Sequence, residues 1–169
     1  MSLSPLSVKN ALWNELKNRF FQVAVDLGCG SGDLGRILRP HVGYLIGVDF
    51  SEELLNKAAQ TGYYDELVLS DVRNYYLPSE TSLVVLIEVI EHMPHEDGEK
   101  LLQSLYRVPN IILSTPARFY PARPKMPHIS LWTETQLQKY GFKTKIIYTF
   151  FIFDPTIFAT RSVDEAFIE

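Results

Sequence analysis

The sequence predicts a doubly wound α/β fold, in which helices cover both faces of a mostly parallel sheet. Short apolar runs of strand length alternate along the chain with segments of helical periodicity, and this alternation is typical of parallel sheets. The run at residues 83–87 is apolar throughout, which indicates a strand buried on both faces. Acidic residues recur where the predicted strands end, and ligands bind at that edge of such sheets.

Periodicity and capping residues divide the first half of the chain into six elements. Leu12, Leu16 and Phe20 recur at helical spacing and indicate a first helix. Ser51 is a residue type that caps helices, and the two acidic residues after it favour a helix N-terminus. The predicted elements are a helix over 4–20, a strand over 22–27, a helix over 33–40, a strand over 44–48, a helix after Ser51 and a strand over 67–69.

The second half of the chain continues the alternation and ends in strands. Residues 111–114 form another apolar run of strand length. Thr133 and Gln136 have the spacing of a capping box, which predicts a helix that ends near Gly141. The predicted elements are a strand over 83–87, a helix over 96–106, a strand over 111–114, a helix from Thr133 and β-rich segments over 143–152 and 156–161.

Composition limits the classes of protein to which the chain can belong. Its 169 residues, 46% hydrophobic and 21% charged, predict one globular domain over residues 1–169. A net charge of −4 argues against a general nucleic-acid binder. Cys29 is the single cysteine, so an internal disulfide is excluded and a cytoplasmic location is expected. We also expect the protein to be a monomer or a homodimer. The apolar runs are too short to span a bilayer, which predicts no membrane partner.

A glycine cluster follows the first predicted strand and indicates a ligand site. Gly28, Gly30 and Gly32 would let the backbone turn sharply, and a helix starting near Asp33 would aim N–H groups at an anion. A pyrophosphate or an amino-acid carboxylate would each fit such a turn. The carboxylate of Asp26 would repel phosphates and attract an amino group, which favours an amino-acid ligand. The alternative is that these glycines only shape a tight turn.

Four acidic residues are expected along one edge of the sheet. They fall at or just after the ends of successive predicted strands, and the carboxyl ends of parallel strands meet at one edge. These residues are Asp26, Asp49, Asp71 and Glu88. Four in register indicate a function; the alternative for Asp49 and Asp71 is that they cap helices or turns.

Five segments occur in the order and spacing of the motifs of a known family. Residues 25–32 resemble motif I of the class I S-adenosylmethionine-dependent methyltransferases, and residues 47–51 and 70–72 resemble its next two motifs. Residues 88–93 and 128–142 resemble later segments of the ubiquinone-biosynthesis-like subgroup, methyltransferase type 11. The resemblance implies a Rossmann-like fold with a seven-stranded, mostly parallel sheet and an antiparallel last strand.

The resemblance also implies S-adenosylmethionine as the cofactor and assigns residues to it. The methionine end would lie against the glycine turn and Asp26, and the ribose hydroxyls would bind Asp49. The adenine ring would lie between Phe50 and Val72, with its amino group on the carboxylate of Asp71. The expected cofactor-binding residues are Asp26, Gly28, Cys29, Gly30, Asp49, Phe50, Asp71, Val72 and Glu88.

The residues after the fourth strand are expected to serve the methyl acceptor. Glu88 and His92 are the candidate catalytic residues, since an oxygen or nitrogen acceptor on a small molecule or an RNA end needs a base. The alternative for His92 is a histidine bonded to a backbone group. We expect no metal, but Glu88, Glu91, His92 and His128 form an alternative ligand set if the segment is helical. This pattern is similar to that of small-RNA 3′-terminal 2′-O-methyltransferases.

A basic segment and two other functional classes complete the predictions. Residues 116–127 are rich in proline and aromatic residues, contain Arg118, Arg123 and Lys125, and would border the acceptor as a lid or as a solvated loop. Cys29 is expected to pack rather than to react. A nicotinamide-dependent oxidoreductase and a non-catalytic cofactor-binding module are the competing functions.

Overall fold

The chain forms one seven-stranded sheet whose strand order is β3-β2-β1-β4-β5-β7-β6. The computed structural model describes residues 5–118, 127–148 and 155–162. Strands β1 to β5 pair in parallel, and β7 runs antiparallel between β5 and β6. The strands are β1 Phe21–Leu27, β2 Val42–Asp49, β3 Glu66–Leu69, β4 Leu83–Ile87, β5 Asn110–Pro116, β6 Lys143–Tyr148 and β7 Pro155–Ser162. The predicted mostly parallel sheet with an antiparallel last strand is therefore confirmed.

Within the described residues, five α-helices and two short 3₁₀ turns precede or connect the strands. The helices are α1 Leu6–Leu16, α2 Gly35–Leu38, α3 Glu52–Thr61, α4 His95–Ser104 and α5 Glu134–Gln138, and the 3₁₀ turns are Arg39–His41 and Ile90–His92. Two predicted caps are confirmed. The Ser51 side chain accepts a hydrogen bond from the Leu54 N–H, and Thr133 forms the full capping box with Gln136.

Three predicted helices are wrong in length, and the one predicted to end near Gly141 ends at Gln138. The first ends at Leu16 rather than at residue 20, because the chain turns there and enters β1. The helix predicted over 33–40 is reduced to the single α-helical turn of α2. Left-handed backbone at Gly32 keeps the chain out of a helix before that turn, and Pro40 lies in the 3₁₀ turn that follows.

Hydrophobic side chains on the two faces of the sheet form two separate clusters. Val84 and Leu86 of β4 belong to the cluster that includes α4 and α5, and Leu83, Val85 and Ile87 belong to the cluster that includes α1. All five β4 residues are buried, as the apolar run predicts. Helices therefore cover both faces of the central strand, and its carboxyl end reaches the edge where the acidic residues lie.

In the described ranges of the chain, none of the helices has the length and apolar character needed to cross a membrane.

Candidate active site

The carboxyl ends of the parallel strands carry the acidic residues that the sequence singles out. Asp26 is the penultimate residue of β1, Asp49 ends β2, and Glu88 directly follows β4. Asp71 lies two residues beyond β3. Because β2, β1 and β4 are adjacent and parallel, these carboxylates lie along one edge of the sheet, as predicted.

The turn after β1 is built from glycines in the left-handed region. Gly28, Gly30 and Gly32 have φ values of 78°, 54° and 82°. A Cβ at Gly28 would lie 2.6 Å from Cγ2 of Val89, whereas a Cβ at Gly30 would meet no described atom within 4 Å. The turn therefore packs tightly on one side and opens on the other. Backbone conformation and close packing both require glycine at position 28.

Asp49 ties this turn to the end of β2. Its Oδ2 accepts a hydrogen bond from the Gly30 N–H at 2.8 Å, and its Oδ1 accepts one from the Ser51 N–H at 2.9 Å. The side chain is buried, while the adjacent Phe50 is 67% exposed. Asp49 therefore caps backbone N–H groups of the turn, which is the structural alternative that the sequence left open for it. Each carboxylate oxygen can still accept a further hydrogen bond.

Asp26 is buried behind the turn and bonded to a residue that sequence analysis missed. The Tyr64 hydroxyl donates to its Oδ2 at 2.7 Å, and the Asp26 side chain is 1% exposed. The pKa of Asp26 is raised to about 7, mainly by burial and to a lesser extent by the charges of Asp49 and Asp33, while the Tyr64 hydrogen bond lowers it. Asp26 therefore changes charge near neutral pH.

Cys29 packs inside the turn. It is 6% exposed, and burial together with the charges of Asp26 and Asp49 raises the pKa of its thiol. The thiolate, which is the nucleophile, is thus disfavoured. Cys29 can contribute to the site through its backbone and by filling space.

Asp71 has a strong partner within the protein. Arg73, which sequence analysis missed, donates from Nε to Oδ1 at 2.9 Å and from Nη2 to Oδ2 at 2.5 Å. The Arg73 hydrogen bonds lower the pKa of Asp71, and a further bond of 2.8 Å joins Nη1 of Arg73 to Asp97 on α4. The neighbouring Val72 is buried. Contact of Asp71 with adenine stays a prediction, and that carboxylate would have to serve Arg73 as well.

The segment after β4 is not a continuous helix, so Glu88, Glu91 and His92 do not share one helical face, which was the condition for the alternative metal-ligand set. Glu88 has a left-handed φ of 58°, and the 3₁₀ turn begins only at Ile90. The Ser114 hydroxyl donates to Oε1 of Glu88 at 2.7 Å. Burial is the main cause that raises the pKa of Glu88.

Glu91 is the most enclosed acid of this segment. Its side chain is buried, and Thr115 donates to its Oε2 at 3.2 Å. Its Oε1 has no hydrogen-bond partner among the residues that the structure describes. Burial, followed by the charge of Glu88, raises the pKa of Glu91 well above its ordinary value.

His92 and His128 lie beside this carboxylate. His92 Nδ1 lies 3.1 Å from the carbonyl oxygen of Pro127, so Nδ1 carries the proton that it donates, and the predicted alternative of a backbone-bonded histidine is observed. His92 Nε2 lies 3.9 Å from Oε1 of Glu91, and the two imidazole rings are 5.1 Å apart. Three potential metal-ligand atoms lie within 4.8 Å of one another, namely one carboxylate oxygen of Glu91 and one ring nitrogen each of His92 and His128. Glu88, the fourth member of the predicted set, is outside this group.

Residues 127–132 pack against the turn after β4. The N–H groups of Ile129 and Ser130 donate to the Glu91 carbonyl oxygen at 2.7 and 3.1 Å. Trp132 donates from Nε1 to the Ser130 hydroxyl, which itself donates to the Ile90 carbonyl oxygen. The two segments that resemble subgroup motifs are therefore in contact. Within the predicted basic segment Arg118 is exposed, and Phe119, Tyr120, Arg123 and Lys125 lie outside the described residues.

Comparison with known proteins identifies the family. Residues 24–110 match the model of the methyltransferase domain family, which covers half of the chain. The carboxy-S-adenosyl-L-methionine synthase of Actinobacillus succinogenes is 32% identical over 109 residues, which are 56% of this chain and 44% of that protein. The chain thus spans less than half of the length of this curated relative.

Solved structures agree in fold. The N-methyltransferase NodS from Bradyrhizobium japonicum WM9, in complex with S-adenosyl-L-homocysteine, superimposes with a TM-score of 0.75 at 15% identity, covering 92% of this chain and 86% of that one. The methyltransferase domain of bacterial CtHen1 gives a TM-score of 0.67 at 22% identity, covering 93% and 98%. The likeness of both confirms the fold, while the ubiquinone-biosynthesis-like subgroup stays a prediction. The match over residues 24–110 shows that the chain belongs to the class I S-adenosylmethionine-dependent methyltransferases.

Proposed function

We propose that this chain binds S-adenosylmethionine at the carboxyl edge of β1 and β2 and transfers its methyl group to an oxygen or nitrogen of a small molecule or an RNA end. The observation that carries the proposal is the pair of hydrogen bonds that the Asp49 carboxylate accepts from the Gly30 and Ser51 N–H groups. They hold the glycine turn against the end of β2 through contacts within the protein. A rim that is held in this way favours binding, because little ordering is required when the ligand arrives.

The residues on this rim fit the parts of the donor. Asp26 supplies a buried carboxylate for an ammonium group, and Gly30 leaves open space where the backbone can approach the ligand. The free lone pairs of Asp49 suit ribose hydroxyls. Phe50, 67% exposed, provides a face for a purine ring. The name of the relative from Actinobacillus succinogenes refers to a derivative of the same nucleoside, which supports this donor.

Glu88 and His92 are the residues that we propose to serve the acceptor. The donor supplies a methyl group that is already activated by its sulfonium, so the protein has to position the acceptor and remove its proton. The Nδ1–H of His92 is committed to the Pro127 carbonyl, which leaves Nε2 as the ring nitrogen that could accept a proton. Ser114 fixes Glu88 through its hydroxyl, so this carboxyl can orient an acceptor hydroxyl or amine.

Calorimetry with S-adenosylhomocysteine tests the proposed function. The wild-type protein is expected to bind, and Asp49→Ala to weaken binding at least tenfold, because the variant loses both the ribose partner and the acceptor for the Gly30 N–H. Glu53→Ala is the matched control, since this acid lies on the first turn of α3 with a side chain 79% exposed. Absence of heat with folded wild-type protein would refute the donor assignment.

A second candidate is a metal-assisted transfer to the 2′-oxygen of an RNA end. It is favoured by the group of ligand atoms on Glu91, His92 and His128, together with the unpartnered, buried Oε1 of Glu91. Two imidazoles and one carboxylate suit a divalent transition metal, which would activate a ribose hydroxyl when bound. Likeness in fold to the methyltransferase domain of CtHen1 agrees with this candidate but does not distinguish it.

Metal binding can be measured without an acceptor. When Mn²⁺ is added to protein from which metal has been removed with a chelator, we expect the electron paramagnetic resonance signal of the free ion to decrease. With the His128→Ala variant, we expect that free-ion signal to remain. His95→Ala is the control, because this histidine stacks on Trp132 and is outside the group of ligand atoms. A free-ion signal that wild-type protein leaves unchanged would eliminate this second candidate and leave the metal-free reaction.

A further inference from the structure

Tyr64 occupies a slot that three glycines leave open. It lies in the turn between α3 and β3. A Cβ added at Gly35 or Gly47 would fall 2.8 Å from a ring carbon of Tyr64, and one at Gly32 would fall 3.2 Å away. These glycines come from the turn after β1, from α2 and from β2. The ring therefore fills a space that would be closed if any of the three positions carried a side chain.

The slot delivers the Tyr64 hydroxyl to Asp26. The O–H donates to Oδ2 at 2.7 Å, and no other hydrogen bond reaches the Asp26 carboxylate within the described ranges. Oδ1 is therefore the oxygen left for a ligand. A single oriented donor on Oδ2 fixes the plane in which Oδ1 can accept.

The charges around Asp26 are unfavourable for its ionised form. Asp49 at the end of β2 and Asp33 after the glycine turn both face it, and the buried Cys29 thiol is beside it. Lys9 on α1 is bonded to Asp33 rather than to Asp26. The Tyr64 hydroxyl is the hydrogen bond that favours the carboxylate, and burial opposes it.

We propose that Tyr64 is a positioning residue that holds the Asp26 carboxylate oriented and ionised for the ammonium group of the donor's amino-acid tail. This inference rests on the proposed function, in which Asp26 receives that group. An ammonium group binds the ionised carboxylate far better than the neutral acid. Below the Asp26 pKa of about 7, binding of the donor must therefore release a proton, and affinity falls about tenfold for each pH unit.

The test compares Tyr64→Phe with the wild type in calorimetric titrations from pH 6 to pH 9. Phenylalanine keeps the ring in its slot and removes only the hydroxyl. We expect S-adenosylhomocysteine to bind about tenfold more weakly at pH 7, with the pH profile displaced to higher pH, because the Asp26 pKa rises when the hydrogen bond is lost. Binding of 5′-methylthioadenosine, which lacks the amino-acid tail, should be unchanged. Tyr63→Phe, one residue away, is the matched control.

The outcomes separate this inference from the proposed function. If the wild type binds S-adenosylhomocysteine but Tyr64→Phe binds it with the same affinity and pH profile, the positioning role is refuted. Equal losses for both ligands would also refute it, since they would show a general structural defect. If Tyr64→Phe does not fold, Asp26→Asn decides, because the inference requires weak binding without the wild-type pH dependence. Failure of the wild type to bind would instead refute the proposed function.

Discussion

Replacement of Asp26 by asparagine is expected to make the stability of the ligand-free protein less sensitive to rising pH. The folded-state pKa of Asp26 is about 7 against an ordinary 3.8, so the folded protein retains a proton that the unfolded chain has lost. The stability contributed by this proton is present in full below pH 4 and is lost as the pH rises through 7. Each pH unit inside the window is worth about 1.4 kcal/mol, so the two units from pH 5 to 7 amount to about 3 kcal/mol.

Urea unfolding of both proteins at several pH values between 5 and 8.5 measures this difference. Asparagine has the same shape as aspartate and can still accept from Tyr64, so packing is preserved. We expect the free energy of unfolding of the wild type to decline by about 3 kcal/mol relative to the variant between pH 5 and pH 8. Parallel curves over that range would show that Asp26 does not titrate near neutral pH, and the physical argument for its burial would be wrong.

Three further substitutions test the packing of α4, the capping box of α5 and the glycine turn after β1. Gly98→Ala on α4 should destabilise the fold by roughly 1–3 kcal/mol in urea unfolding, because the new Cβ would lie 2.4 Å from Cζ2 of Trp132; a stabilised variant would contradict this packing. Thr133→Ala should cost about 1 kcal/mol through loss of the capping box, and Glu134→Ala, which leaves the box intact, should cost less. Gly30→Ala should destabilise by about 1–2 kcal/mol from its left-handed φ alone and should abolish binding of S-adenosylhomocysteine, whereas unchanged affinity would place the ligand elsewhere.

Local patterns predicted the sheet well because its strands are defined by short-range sequence. The β4 run is apolar at every position, so its burial on both faces could be predicted without tertiary information. Thr133 and Gln136 make contacts only three residues apart, and the helix start that they predicted is observed. The acidic residues at strand ends were found for a related reason, since the edge at which they lie follows from parallel pairing alone.

The parts of the site that sequence could not predict depend on distant contacts or on unusual backbone. Tyr64 bonds to a residue 38 positions away, and Arg73 bonds to Asp97 24 positions away. No local pattern marks either residue. Glu88 adopts a left-handed conformation that is rare for residues other than glycine, so its position relative to Glu91 could not be obtained from helical spacing. In each case tertiary packing overrides the local preference.

The position of β7 between β5 and β6 has a consequence for the order of assembly. β7 pairs with β5 over residues 110–116 on one side and with β6 on the other, and Ile157 and Phe158 enter opposite hydrophobic clusters. β6 precedes β7 in the chain, yet it has no place in the sheet until β7 has docked. β6 therefore joins the sheet together with β7 or after it, and this end of the sheet forms only when β7 reaches β5 through non-local pairing.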